Sequence, residues 1–214
     1  EISIVGPHSV LSDQAHDIDV SFTGLTLSHS NGVDGGDLAF ATKFFGTVLR
    51  NTNAAENTVT YTNCVFPNGA HNNNYGKTIF DNCKFTAASD WSLWAANNST
   101  ENANSITTVK NCEFIGARGI KLYQVGNKTD NPKAGTLEVN DTTFNISDSS
   151  KAAIEIAKPG GSVTLDKVSV SGAPAGVIAK NLTENDGYSG ADKVTIPLGT
   201  EVSGTFEVAS DEVD

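Results

Sequence analysis

Apolar and polar residues alternate along this chain in short runs, and the runs recur in one register. The clearest spans residues 105–123, SITTVKNCEFIGARGIKLY. Its centre, Asn111-Cys112-Glu113-Phe114, recurs as Asn63-Cys64-Val65-Phe66 and Asn82-Cys83-Lys84-Phe85. Degenerate copies stand at Asp141-Thr142-Thr143-Phe144 and Lys167-Val168-Ser169-Val170, and one precedes them at Gly24-Leu25-Thr26-Leu27. Five and three residues before the cysteine position come Val20 and Phe22, Val59 and Tyr61, Thr78 and Phe80, Thr107 and Val109, Leu137 and Val139, and Val163 and Leu165. Within each half the spacing is two, the side-chain period of a strand with one buried face. Between the halves it is three, so the chain must bend there to keep both halves facing inward.

The residue at that bend is Gly24, Asn63, Asn82, Asn111, Asp141 or Lys167. Gly, Asn and Asp adopt left-handed backbone conformations at low cost, which suits a corner between two short strands. Asparagines stacked at such a corner are placed to hydrogen-bond along the column. The final apolar position falls at 27, 66, 85, 114, 144 and 170, giving separations of 39, 19, 29, 30 and 26. A variable period with a constant strand register predicts a solenoid whose loops absorb the insertions. The chain reads as one domain over 1–214. Residues 1–17 form an N-terminal cap or partial coil, 18–190 the coils, and 191–214 a C-terminal coil or cap with an acidic tail. In the best-formed repeats a second strand is expected at 91–95 and at 119–123, with 153–157 following the same pattern.

The Asn-Cys-x-Phe repeats resemble those of the right-handed parallel β-helix, or pectin-lyase-like, superfamily, across most of the chain. The resemblance implies an all-β fold: a single-stranded right-handed parallel β-helix of about seven coils with terminal caps. It leaves the activity open, because the family includes pectate lyases, polygalacturonases, phage tailspikes and surface adhesins. On this fold the cysteines and phenylalanines are core ladders, free cysteine acting as a small buried hydrophobe.

Charge narrows the partners. The chain carries 25 acidic residues against 14 lysines and arginines, a net −11. Nucleic acid is not expected, since phosphate binding needs a cationic footprint. Anionic membrane surfaces are disfavoured for the same reason, and no apolar run approaches a membrane span. Three cysteines in equivalent inward positions read as buried thiols rather than a disulfide framework. Abundant Asn, Ser and Thr with few charges fits an extracellular solenoid.

Candidate chemistry gathers on one face. If Trp91, Leu93, Ile120 and Leu122 point inward, then Ser92 and Trp94 point outward, with Lys121 and Tyr123 on the next coil and Glu155 and Ala157 on the one after. Asp90 and Arg118 stand at the rim. An exposed aromatic pair flanked by polar and charged groups is the composition of a sugar-binding surface. The alternative is that both rings pack beneath the loops that follow them.

The family's lyases use acidic calcium ligands with a basic residue. Arg118 and Lys121 lie near Glu155, but clustered aspartates on consecutive coils are missing, as are the aspartate dipeptides of the polygalacturonases. Asp34 and Asp37 on a Gly-Gly turn are a weak candidate for Ca2+ ligation, and His8, His16, His29 and His71 have no metal-ligand spacing. The leading expectation is an extracellular or appendage module, carbohydrate-binding or adhesive, without catalysis. A polysaccharide lyase or glycoside hydrolase on the same face is the second, and a purely structural stalk the third.

Overall fold

The computed structural model describes residues 8–9, 19–28, 44–47, 58–72, 76–97, 105–124, 135–157, 162–180, 193–195, 202–203 and 212–213. These form seventeen strands and no helix. Every pairing among them is parallel.

The strands fall into three columns. The first holds β2 (Asp19–Thr23), β4 (Thr58–Thr62), β7 (Lys77–Asp81), β9 (Ile106–Lys110), the leading halves of β11 (Thr136–Ile146) and β13 (Ser162–Gly172), β15 (Lys193–Thr195) and β17 (Glu212–Val213). The second starts at an isolated bridge between Thr26 and Val65. It runs through β5 (Val65–Phe66), the leading parts of β8 (Lys84–Asn97) and β10 (Glu113–Gln124), the trailing halves of β11 and β13, and β16 (Val202–Ser203). The third stacks β1 (His8–Ser9), β3 (Phe44–Thr47), β6 (Ala70–Asn72), the trailing parts of β8 and β10, β12 (Ile154–Ile156) and β14 (Ile178–Lys180). The chain visits the columns in that order and returns to the first one rung further on.

The corner between the first two columns lies where the three-residue spacing demands it. Gly24 (φ 67°), Asn63 (54°), Asn82 (53°), Asn111 (54°), Asp141 (46°) and Lys167 (52°) are all left-handed. Each such residue turns the backbone so that both flanking strands keep their apolar side chains inside. Lys167 does this without the local hydrogen bonding that makes Asn and Asp tolerant of the region. The expected asparagine ladder is partial. Asn82 Nδ2 donates to Asn63 Oδ1 at 2.6 Å, whereas Asn111 Nδ2 turns to Asp81 Oδ1 at 3.0 Å. The carboxylate is the stronger acceptor, so it wins the amide. That hydrogen bond, followed by the contacts of Lys110, holds the Asp81 carboxyl below its ordinary range.

Inside, the repeats become ladders. Phe66, Phe85, Phe114 and Phe144 stack with centroids 4.7, 4.6 and 4.7 Å apart and interplanar angles of 9, 2 and 12°. Phe22, Tyr61 and Phe80 form a second stack at 5.1 and 5.0 Å. Both spacings match the ~4.8 Å between neighbouring strands, so the hydrogen-bonded backbone and the rings repeat together.

The cysteines do more than fill space. Each thiol reaches two carbonyls: that of the residue two before it, and that of an aromatic residue on the preceding rung. Cys83 meets Asp81 O (3.5 Å) and Tyr61 O (3.4 Å), and Cys112 meets Lys110 O (3.2 Å) and Phe80 O (3.5 Å). Cys64 likewise meets Thr62 O and Phe22 O. Thr142, at the same position one rung on, donates to Asn140 O at 2.8 Å. Cys and Thr at these four rungs are both small side chains with a donor, whereas the degenerate copies carry Leu25 and Val168 there. All three thiols are free and buried. Burial pushes the Cys64 thiol up, and the hydrogen bond between Cys83 and Cys112, together with burial, pushes the Cys83 thiol up, so both stay protonated.

Outside, charges on adjacent rungs alternate in sign. Lys84 pairs with Glu113 (2.8 Å), Lys110 with Asp81 (3.1 Å) and Lys167 with Asp141 (3.6 Å). Like charges at this spacing would repel. Asp81, Glu113 and Asp141 near the corner are thus partnered by lysines rather than by one another.

Candidate functional site

The third column carries the candidate site. Its inward residues Leu93, Ile120, Leu122, Ile154 and Ile156 are at most 2% exposed and anchor the column to the core. The outward residues between them differ on every rung. In register along the column stand His71, Trp94, Lys121 and Glu155. Gly119 lets β10 approach β12 closely: a Cβ there would lie 2.2 Å from Ala153 O and 2.9 Å from the Phe144 ring. A shift of register between Gly116 and Arg118 sets Arg118 opposite Trp91, with the guanidinium 5.8 Å from that ring's centroid.

The structure brings Trp94, Tyr123, Lys121, Glu155, Asp90 and Arg118 onto this one face, and adds His71. Trp94 and Tyr123 are neighbours, as the register requires, with centroids 5.0 Å apart. They differ from the exposed pair that the alternation suggested. Their planes stand at 88°, and Tyr123 is only 9% exposed. The reason is diagonal placement. Trp94 sits beside Lys121, while Tyr123 sits beside Ala96, so edge meets face rather than face meeting face. Ala157 packs against Tyr123 and is itself buried.

The polar members are buried and interlocked. His71, Lys121, Glu155 and Asp90 are 7, 6, 4 and 8% exposed. The Tyr123 hydroxyl and His71 Nε2 share a hydrogen bond. Trp94 Nε1 donates to Asp90 Oδ2 at 3.0 Å, and the Lys121 ammonium lies 4.5 Å from the Trp94 ring centroid. Ser92, with no exposed surface, donates to Arg118 O at 2.7 Å. Arg118 bridges two carboxylates, Asp148 at 2.7 Å and Asp90 at 3.8 Å. Lys151 pairs with Glu155 at 3.2 Å. Charges this deep persist only when paired or hydrogen-bonded.

Asp148 is the anchor of the rim. The Ser150 hydroxyl, then Arg118, then the Ser150 backbone N–H hold its carboxyl down to about 2. His71, Asp148 and Lys151 did not stand out in the sequence. His71 falls in the short stretch 67–72, where no alternation is readable, and only the register with Trp94 brings it to the face. Asp148 and Lys151 lie in the connection between β11 and β12.

Among the described residues no group of three or more His, Cys, Asp or Glu is placed to hold a metal ion. Asp34 and Asp37, the weak Ca2+ candidates, lie outside the described residues. Among the described residues no helix is long and apolar enough to cross a membrane. No family model, curated protein or solved structure matches this chain.

Proposed function

We propose that this chain is a right-handed parallel β-helix of about seven capped coils, akin to the pectin-lyase-like superfamily. It serves as an extracellular module of a cell surface or appendage and binds glycan on the outer face of the third column. The observation that carries this reading is the convergence of Trp94 and Tyr123 with His71, Asp90, Arg118, Lys121 and Glu155 on that face. Rings supply the apolar contact for a pyranose, and the hydrogen-bonding side chains around them suit its hydroxyls. Of the described members, Trp94 and Arg118 remain partly open to solvent, and an incoming sugar meets these first.

The lyase or hydrolase reading draws on the Tyr123–His71 hydrogen bond, on the face that also carries Lys121 and Arg118. A hydrogen-bonded Tyr–His pair can pass a proton.

A glycan array tests the proposal, run with the wild type and with the Trp94→Ala, Tyr123→Phe and Lys121→Ala variants. Retention of a defined glycan set that Trp94→Ala loses, with unfolding unchanged, supports the site. If neither wild type nor Lys121→Ala retains any glycan, the site falls and a structural stalk remains. Incubating the retained glycans with the protein and following new reducing or unsaturated ends separates binder from enzyme.

A further inference from the structure

We infer that Asp90 joins Trp94 and Arg118 into one subsite, an indole beside a hydrogen-bond fork, and that Arg118 makes this subsite select neutral over acidic glycans. The inference deepens the glycan-binding reading above and rests on it. The buried Asp90 carboxylate directs one oxygen to each neighbour. Its Oδ2 accepts from the Trp94 indole N–H at 3.0 Å, and its Oδ1 lies 3.8 Å from Arg118 Nη1. Trp94 and Arg118, both partly open to solvent, are therefore held side by side by one buried anion.

The fork is set in place before any ligand arrives. Ser92 Oγ donates to the Arg118 carbonyl at 2.7 Å, and the Asp148 N–H donates to Ala117 O at 3.0 Å. The guanidinium lies 5.8 Å from the centroid of the buried Trp91 ring. A guanidinium carries N–H donors on each of its nitrogens. Nε is engaged by Asp148 Oδ2 at 2.7 Å, whereas the Nη groups make no hydrogen bond with the described residues. The side chain is 28% exposed, so these donors are open to an acceptor. Hydroxyl and ring oxygens of a pyranose lying against the indole are such acceptors, and a fork already fixed loses little freedom on binding them.

Charge then decides the class of sugar. Two carboxylates, Asp90 and Asp148, lie against one guanidinium, which leaves an excess of one negative charge among the described groups at the fork. The whole chain carries −11. Asp148 stays ionised, its carboxyl held at about 2 by the Ser150 hydroxyl and then by Arg118. A uronate or sulfate approaching the Nη donors meets both carboxylates at close range, and like charges brought together oppose binding. A hydroxyl takes the same donors without that repulsion.

The experiment uses sugar pairs that share a backbone and differ in charge at C6. Cellohexaose is compared with its C6-oxidised glucuronate form, and β-1,4-mannohexaose with β-1,4-hexamannuronate, beside the glycans retained on the array. Affinities are measured for wild type, Arg118→Gln and Asp148→Asn, with a thermal melt of each. Wild type should favour the neutral member of a pair by roughly 3- to 10-fold. Arg118→Gln should weaken neutral binding by roughly 10- to 100-fold. Asp148→Asn should narrow the neutral-over-acidic ratio about 2- to 5-fold, a change in selectivity that a merely structural role would not produce. Arg118→Lys, which keeps a cation beside Asp148 and lacks the fork, stands in if the glutamine variant fails to fold, and it too should lose neutral binding.

A wild type that does not favour the neutral members, or an Arg118 variant that binds them as tightly as wild type, overturns this inference and leaves the glycan-binding reading standing. An unchanged ratio in Asp148→Asn likewise overturns the charge argument. No glycan held by any of the proteins overturns both readings.

Discussion

The inner ladders and the outer face of the third column follow the same register and obey opposite rules. Inside, in-register parallel stacking favours sameness. Phe on Phe and Cys on Cys repeat at the strand spacing, and each copy meets the shape of its neighbour. Outside the third column, sameness would be costly, because identical charges or unpaired polar groups would face one another at ~4.8 Å. There the chain places His71, Trp94, Lys121 and Glu155 in succession, each bonded to a residue of different chemistry. A repeat fold is thus built by what recurs and individualised by what does not. Function is to be sought among the residues that break the repeat.

The sharpest way to break that contrast is to exchange the rules. Cys112→Asp places an unpaired carboxylate in a packed column and should destabilise by roughly 3–5 kcal/mol. Glu113→Lys, next in sequence but half exposed and paired only with Lys84, should cost less than about 1 kcal/mol. Denaturant unfolding of both proteins checks this, and equal costs would sink the register.

On the outer face, Tyr123→Phe removes the hydroxyl shared with His71 and should cost about 1–2 kcal/mol. No change in midpoint would mean that the cluster does not act as a connected unit.

A third test uses pH. Asp148 is held at about 2, against an ordinary 3.8. A carboxyl depressed by folding adds stability that is fully present above about pH 4 and is lost as pH falls through about 2. The unfolded chain takes up that proton first. The contribution is on the order of 1–2 kcal/mol after screening at a partly exposed site. Asp148→Asn should flatten this part of the acid profile in urea titrations between pH 5 and 2, and a profile identical to wild type would refute the role given to Ser150 and Arg118.

The smallest effect is expected at the corner. Lys167 holds φ 52° where Asn63, Asn82 and Asn111 hold 53–54°. Lys167→Asn should therefore stabilise by about 0.5 kcal/mol, its exposed pairing with Asp141 contributing little. A loss of stability instead would show that the ion pair outweighs the backbone strain.

Much of the fold was legible in the residues themselves. The two-residue alternation around Cys64, Cys83, Cys112 and Thr142 gave the strands, their buried faces and the left-handed corner, because each depends on local backbone geometry and on one apolar face. The candidate face was legible in composition only. Alternation could put Trp94, Lys121, Tyr123 and Glu155 on one side of the sheet, but ring angles, burial and partners depend on which rung stands next to which. Loops of unequal length hide that register. His71 was brought opposite Trp94, and Asp148 under Arg118, by stacking segments 23 and 30 residues apart in the chain. The chain by itself determined the periodic interior; only the tertiary structure decided the aperiodic exterior, because side-chain partners across rungs are set by register in space and not by spacing in sequence.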